Sequence, residues 1–268
     1  MRLVVKVGTS TLAHSTGRLN IKRVEHLCKV LSDIRNSGIE LVLVSSGAIG
    51  VGQGKLSLKE RPSDLPTTQA AAAVGQCELM YTYDKLFGVY NHTVAQVLIT
   101  ADDIDDEKRK DNFLNTMLRL LQLDAIPIIN ENDSVSAAEC VIGDNDTLGG
   151  VIAAAIGADM MIILSDVQGL YDSNPFSNPD AQLLRVVKEI GPEHFAAAEG
   201  SVSKLGTGGM VTKVQAAQIA TAAGCETIIA NGMNPDILYD ILEGKEVGTK
   251  FLARRHNVYR EVHYDYDI

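Results

Sequence analysis

Two short clusters of acids and amides lie close together in the sequence. The first is Asn130-Glu131-Asn132-Asp133 and the second is Asp144-Asn145-Asp146. Carboxylates crowded in this way repel one another and raise each other's pKa unless a cation lies among them. The side-chain amides beside them favour a small ligand that carries both charge signs. We therefore expect these clusters to bind a small acceptor molecule.

Two lysines near opposite ends of the sequence stand beside glycine turns. Lys6 interrupts an apolar run that stops at Gly8, and Lys213 follows the stretch Gly206-Thr207-Gly208-Gly209. A lysine in a central strand would be buried unless it points into a cleft, and the glycine turn favours the cleft. The alternative is an edge strand from which Lys6 reaches solvent. Lys213 stands in the first turn of a predicted helix, where the dipole disfavours a cation, and this indicates a bound phosphate.

Apolar runs of strand length alternate with helical patterns along the whole chain. This alternation predicts an α/β fold, an αβα sandwich with a mostly parallel central sheet. Ligands bind such sheets at the carboxyl ends of the strands. The predicted strands nearest the polar clusters cover residues 3–7, 40–44, 125–129 and 159–164. The predicted helices cover residues 20–36, 67–87, 105–123, 147–156 and 214–223, with residues 55–66 as a surface loop.

Further candidate residues follow two of these strands. Ser46 lies in the turn Ser45-Ser46-Gly47, which opens a helix whose free N–H groups suit a carboxylate or a phosphate. A close-packed corner would also need such small residues. Ser165 and Asp166 precede a glycine turn, where Asp166 could equally be only a turn former. Asp144 could likewise be only a helix cap.

Composition excludes several classes of protein. The net charge of −10 argues against a nucleic-acid partner, because no basic stripe replaces phosphate counterions. The four cysteines are far apart, which argues against a disulfide framework or a zinc site. No apolar stretch has the length and purity of a membrane span or a signal peptide, so we expect a cytoplasmic protein. No GxGxxG follows the first strand, which disfavours a dehydrogenase.

The order of the motifs resembles the amino-acid kinase family. The motifs are VVKVGTS, LVSSGAI, PIINEND, GDND, LSDVQGLY and GTGGMVTK, spread over residues 3–251. They are most similar to the branch that uses ATP to phosphorylate the γ-carboxylate of L-glutamate in the first step of proline biosynthesis. The resemblance implies a single domain, with an amino-acid lobe at residues 1–157 and a nucleotide lobe at 158–252. Residues 253–268 form a tail without an assigned role.

The resemblance also implies roles for individual residues. Lys6 and Lys213 would flank the transferring phosphoryl group, and Asp146 would hold both lysines. Ser46, Asp133 and Asn145 would bind glutamate, supported by Asn130 and Asp144. Mg²⁺ would be held mainly by the ATP phosphates, without a named protein ligand. The expected nucleotide-binding residues are Lys6, Gly8, Ser165, Asp166, Thr207, Gly208, Gly209, Met210, Val211, Thr212 and Lys213.

Two departures from the family pattern concern regulation and assembly. Val141 stands where many members of this branch carry a basic residue, which bears on substrate affinity and on feedback inhibition by proline. The chain also has no room for the C-terminal PUA domain of many bacterial members. The resemblance further leads us to expect a homo-oligomer.

Rival functions remain open from the sequence. The same fold could phosphorylate aspartate, N-acetylglutamate or carbamate, although the acids and amides favour a substrate with a free amino group. A non-catalytic amino-acid sensor is the rival from another class. Against the sensor, a pure binding protein has no physical reason to keep Lys6, Lys213 and Asp146 together.

Overall fold

A computed structural model describes residues 1–14, 16–136, 144–175, 177–199 and 209–254 of the 268-residue chain. In these ranges the strands form one sheet. They are β1 (Arg2–Val7), β2 (Glu40–Val44), β3 (Val94–Ile99), β4 (Ile126–Glu131), β5 (Met160–Ser165), β6 (Val186–Val187), β7 (Glu226–Asn231) and β8 (Thr249–Phe251). Their order is β3-β4-β2-β1-β5-β7-β8-β6, and every neighbouring pair is parallel except β7 and β8.

Helices cover both faces of this sheet. They are α1 (Thr9–Leu12), α2 (Ile21–Asn36), α3 (Ala48–Lys55), α4 (Leu65–Gly88), α5 (Ala101–Asp105), α6 (Glu107–Gln122), α7 (Asn145–Ala155), α8 (Pro192–Ala198), α9 (Met210–Ala222) and α10 (Ile237–Leu242). The predicted αβα sandwich with a mostly parallel sheet is therefore confirmed. Within the described ranges, no helix is long and apolar enough to cross a membrane.

Several predicted boundaries were wrong for local reasons. The helix predicted at residues 105–123 is α6, which begins two residues later because Asp106 has extended backbone angles and its carboxylate caps the helix by accepting from the N–H of Arg109, and the short helix α5 before it was not predicted. The loop predicted at 55–66 is shorter, since Asp64 caps α4 by accepting from the N–H of Thr67. Helix α9 begins at Met210, four residues earlier than predicted. Strand β4 continues through Asn130 and Glu131, so the first acidic cluster starts inside the sheet.

The alternation of side chains along β1 divides the core into two layers. Leu3, Val5 and Val7 pack on the face that carries α2, α4 and α10. Val4 packs on the opposite face, among residues of α6, α7 and α9. Successive side chains of a strand point to opposite faces, so Lys6 shares the face of Val4. The period of the strand thus directs Lys6 towards α7 and α9.

Helices α3 and α4 approach each other with their backbones in contact. A Cβ atom at Gly75 of α4 would overlap the carbonyl oxygen of Ala48, and one at Gly52 of α3 would overlap the carbonyl oxygen of Ala71. Only glycine permits such an approach of two helix backbones. This crossing fixes where α4 lies over the end of β2.

We expect Gly75→Ala to destabilise the fold by about 1–3 kcal/mol, because its methyl group would push α3 away from α4. Thermal unfolding followed by circular dichroism measures the effect. Gly88→Ala is the matched control in the same helix, since a Cβ there meets nothing within 4 Å. Equal unfolding midpoints for the two variants would show that the crossing tolerates a side chain.

Candidate active site

A buried ion-paired triad occupies the carboxyl end of β1. Lys6 Nζ lies 2.6 Å from Asp146 Oδ1, and Lys213 Nζ lies 2.9 Å from Asp146 Oδ2. The three residues are almost completely buried, with Asp146 only 1% exposed. They come from three elements that are distant in sequence, namely β1, α7 and α9. The fold therefore brings two cations onto one carboxylate.

The ionisation of Asp146 depends on this pairing. Burial alone would raise the pKa of its carboxyl group, but the charges and hydrogen bonds of Lys6 and Lys213 hold the pKa below its ordinary value. Removing one partner from a buried ion pair leaves an uncompensated charge and typically costs 3–5 kcal/mol. Asp146 thus stays charged and keeps both ammonium groups at the site.

The packing of α7 against α9 sets the distance between Asp146 and Lys213. A Cβ atom at Gly150 of α7 would lie 2.6 Å from the carbonyl oxygen of Ala216 in α9, so the two backbones are in near contact there. Asp146 lies in the first turn of α7, and Lys213 is the fourth residue of α9. Their side chains consequently meet between the two helix N-termini.

The triad has one net positive charge and N–H donors that no described residue accepts. Each ammonium group has three N–H donors. Within the described residues, Lys6 contacts Asp146, whereas Lys213 donates to Asp146 and, at 3.3 Å, to the carbonyl oxygen of Gly209. Two cations and one anion leave one net positive charge. Such a group can neutralise and orient an anion with several oxygens, such as a phosphoryl group.

The structure explains why the lysine of α9 lies near a helix N-terminus. The sequence suggested a bound phosphate as the reason, and the resemblance implied that Asp146 holds this lysine. In the structure Asp146 compensates the unfavourable dipole, and the carbonyl oxygen of Gly209, the N-cap residue, accepts a further hydrogen bond. Thr212 is adjacent, and its hydroxyl donates to Asp146 Oδ2 at 3.3 Å and to Gly209 O at 2.9 Å.

A chain of side-chain amides lies beside the triad. Asn145 Nδ2 donates to Asn130 Oδ1 at 3.0 Å, and Asn130 Nδ2 donates to Gln76 Oε1 at 2.9 Å. Asp144 caps α7, because its Oδ1 accepts from the N–H groups of Asp146 and Thr147. Asp144 is therefore the helix cap that the sequence allowed, and the helix begins at Asn145, two residues earlier than predicted.

Apart from Asp146 Oδ1, which is ion-paired with Lys6, two buried acceptors at this place have no hydrogen-bond partner within the described residues. They are Asp144 Oδ2 and Asn145 Oδ1, which are neighbours in sequence at the N-terminus of α7. A buried acceptor without a donor costs free energy, typically 1–3 kcal/mol. A ligand with several N–H donors, such as an ammonium group, would satisfy both atoms.

A cavity of about 410 Å³ opens on the far side of the amide chain. Its polar lining includes Gln76, Gln96, Glu131 and Asp133. Burial raises the pKa of Asp133 to about 6, and the nearby charge of Glu131 adds to the rise. The acids of the first cluster therefore do repel each other, and a cationic group in the cavity would relieve that repulsion.

The remaining predicted acceptor residue, Ser46, lies in the turn between β2 and α3. It is buried, and the preceding Ser45 is held by its backbone N–H, which donates to Ile129 O, and by its hydroxyl, which lies 2.9 Å from the Tyr83 hydroxyl. Gly47 has φ +95°, a conformation that other residues rarely adopt. The turn therefore has a fixed path at the carboxyl end of β2.

A second edge of the site lies at the carboxyl end of β5. Ser165 is buried there, and its hydroxyl donates to Asp166 Oδ1 at 3.2 Å. An adjoining cavity of about 140 Å³ has mostly apolar walls, including Val167, Leu170 and Met210. Tyr171 and Ala197 also line it. The sequence analysis did not identify this cavity as a site, because its lining comes from an irregular segment and two separate helices.

Not every predicted site residue belongs to the described part of the chain. Thr207, Gly208 and Val141 lie outside it, as does most of the C-terminal tail. Gly8 is the N-cap of α1 with φ −84°, so the chain turns there from β1 into α1 without the left-handed conformation that favours glycine. A Cβ at Gly8 would lie 3.7 Å from Lys6 Nζ, so the missing side chain leaves that ammonium group accessible from one side. Val211 is partly buried and packs against the core on the sheet face that carries α6, α7 and α9.

Comparison with known proteins shows to which protein family the chain is related. The model of the amino acid kinase family matches residues 1–231 of the chain. The chain belongs to the amino acid kinase family. This family assignment agrees with the resemblance carried by the sequence motifs.

Members of the amino acid kinase family with curated names cover nearly the whole chain. Glutamate 5-kinase of Clostridium perfringens is 52% identical over 258 residues, which are 95% of this chain and 96% of that protein. Glutamate 5-kinase of Clostridium acetobutylicum is 51% identical over 253 residues, covering 94% and 95% of the two chains. The UMP kinase of Bacillus anthracis has a similar structure, with a TM-score of 0.64 at 17% identity over 95% of this chain and 96% of that chain. That last likeness supports the fold alone.

We expect the carboxyl group of Asp133 to titrate near pH 6 in the ligand-free protein. Glu131→Gln should lower this midpoint by removing one like charge, yet leave it above the ordinary value, since burial is the larger cause. Because the folded-state pKa exceeds the unfolded one, ionisation of Asp133 costs stability as the pH rises from about 4 to about 6.

Carbon-13 NMR of the aspartate carboxyl groups measures this midpoint, with Asp133→Asn assigning the signal. An Asp133 signal that titrates near pH 4 in the natural chain would contradict the description of this cavity as a crowded, desolvated acidic site.

Proposed function

We propose that this protein transfers the γ-phosphoryl group of ATP to the γ-carboxylate of L-glutamate, which yields L-glutamyl 5-phosphate and ADP. The product places the protein at the first step of proline biosynthesis. The observation that carries the proposal is the triad of Lys6, Asp146 and Lys213, which concentrates two ammonium groups at one buried point. The choice of substrate is supported by relatives named glutamate 5-kinase, which are 52% and 51% identical to this chain over nearly its whole length.

The reaction needs positioning and charge neutralisation more than proton transfer. A carboxylate oxygen of glutamate attacks the γ-phosphorus of ATP, the new P–O bond forms, and the bond to the bridging oxygen breaks as ADP leaves. The acceptor is ionised at neutral pH, so no general base is required. Charge on the phosphoryl oxygens is stabilised by the N–H donors of Lys6 and Lys213, which the Asp146 carboxylate holds in place.

The amino-acid end of the substrate would meet the acceptors at the N-terminus of α7. Asp144 Oδ2 and Asn145 Oδ1 are buried acceptors without partners in the described chain, and the α-ammonium group of glutamate supplies N–H donors. Asp133 adds negative charge nearby, and Asn130 holds the Asn145 amide. This arrangement favours an acid with a free amino group over N-acetylglutamate. Ser46, at the N-terminus of α3, is suited to a substrate carboxylate.

The nucleotide would lie on the opposite side of the triad. The apolar cavity lined by Val167, Leu170 and Met210 suits a planar base, and Ser165 and Asp166 directly precede its first lining residue at the end of β5. The N-terminus of α9, with Gly209 and Thr212, would face the phosphates. Lys213 at that N-terminus then joins the nucleotide to the triad.

Mg²⁺ is part of the proposal as a companion of ATP. Both oxygens of Asp146 are paired with lysines, and the described residues contain no group of three His, Cys, Asp or Glu that could hold a metal ion. The donor set therefore suits an ion held through the ATP phosphates. When bound, the ion would neutralise phosphate charge.

Three further proposals concern feedback inhibition by proline, the oligomeric state and the location in the cell. Proline, like glutamate, carries an ammonium group with N–H donors next to an α-carboxylate, so it could compete for the acceptors of Asp144 and Asn145. We also propose a homo-oligomer and a cytoplasmic location, the latter because the sequence composition favours it.

ATP turnover with glutamate tests the function, with the acyl phosphate trapped by hydroxylamine as the hydroxamate. Aspartate, N-acetylglutamate and bicarbonate with ammonia are run in parallel. We expect hydroxamate with glutamate alone. Lys213→Met should lower kcat by about 100-fold or more, because it removes donors to the phosphoryl oxygens.

Lys29→Met is the matched control, since Lys29 is an exposed lysine on α2 and should leave turnover unchanged. Binding of glutamate without turnover would support the sensor instead. Preference for another acid would keep the fold and overturn the proposed substrate.

A further inference from the structure

The hydrogen bonds of the amide chain run in one direction and end at the proposed substrate acceptors. The backbone N–H of Glu131 donates to Asn130 Oδ1 at 3.0 Å. A backbone N–H is always a donor, so this bond identifies which atom of the Asn130 amide is the oxygen. The Asn130 nitrogen must then point to Gln76, where Gln76 Oε1 accepts it at 2.9 Å.

The same constraint orients Asn145. Its Nδ2 donates to Asn130 Oδ1 at 3.0 Å, so its own Oδ1 is turned away from Asn130 as a buried acceptor without a partner in the described chain. Asn130 is 1% exposed and cannot exchange its partners for water. The direction of the Asn145 amide therefore depends on all bonds of the Asn130 amide, including the bond to Gln76.

Gln76 is the residue of α4 at the end of this chain of side-chain amides. It lies on α4 directly after Gly75, at the point where α4 and α3 approach with their backbones in contact. Its side chain is half-buried and borders the cavity that Asp133 also lines. The helix crossing thus fixes the backbone from which the Gln76 acceptor reaches Asn130.

We propose that Gln76 is a positioning residue for recognition of the substrate's ammonium group. Its carbonyl oxygen satisfies the buried Asn130 nitrogen, and this keeps the Asn145 oxygen directed at the ammonium. Without that acceptor, Asn130 must rotate to satisfy its nitrogen, and the Asn145 amide loses its fixed direction. The proposal rests on the proposed function.

Gln76→Met tests the proposal, because it keeps the length of the side chain and removes the acceptor. We expect the KM for glutamate to rise by about 10-fold or more, corresponding to a lost buried hydrogen bond, with the KM for ATP unchanged. Binding of glutarate, which lacks the ammonium group, should weaken much less. Gln76→Glu retains an acceptor and should restore the affinity for glutamate.

Gln122→Met is the matched control, since Gln122 is an exposed glutamine on α6 that lines neither of the two described cavities. Gln76→Lys also removes the acceptor and serves if the methionine variant does not fold. An unchanged KM for glutamate in the acceptor-free variant overturns the proposal, as does equal weakening of glutamate and glutarate binding. Absence of hydroxamate with the natural chain instead overturns the proposed function itself.

Discussion

The site depends on a single buried carboxylate that must be neutralised by two cations. Asp146 would carry an uncompensated charge in the interior if either Lys6 or Lys213 moved away. Its pairing consequently ties the central strand β1 to the N-termini of α7 and α9. The interior meets this electrostatic requirement only when elements far apart in the sequence have docked. The two ion pairs of Asp146 thus stabilise the fold and also place both ammonium groups at the site.

Three consecutive residues divide the site into halves of opposite polarity. Asp144 caps α7, Asn145 joins the amide chain, and Asp146 binds the lysines. The side towards Asn130 presents oxygen acceptors, whereas the side towards Lys213 presents N–H donors. A substrate with an ammonium group at one end and a reacting carboxylate at the other would lie along this gradient. The first turn of one helix therefore sets the direction in which such a substrate binds.

Local sequence patterns predicted most helices and strands. They failed where a side chain contacts a residue that is far away in the sequence. The apolar run before Gly8 and the cap Asp144 could be predicted because each acts on its immediate neighbours. Helix α5 was not predicted, because a helix of five residues is too short to show helical periodicity. Gln76 had no signal in an alanine-rich helix, because its importance comes from Asn130, 54 positions away. The roles predicted for the site residues stay predictions, although the structure brings Lys6, Asp146 and Lys213 together.

The central position of β1 has a consequence for synthesis on the ribosome. β1 pairs with β2 on one side and with β5 on the other, and β5 is formed by Met160–Ser165. Synthesis adds about 5–20 residues per second, so the edge of β1 that pairs with β5 stays unpaired for roughly ten seconds or longer after β1 has been made. Unpaired strand edges are templates for aggregation. Lys6, placed in this strand for the site, also interrupts its apolar sequence during that interval and acts as a charged gatekeeper in the nascent chain.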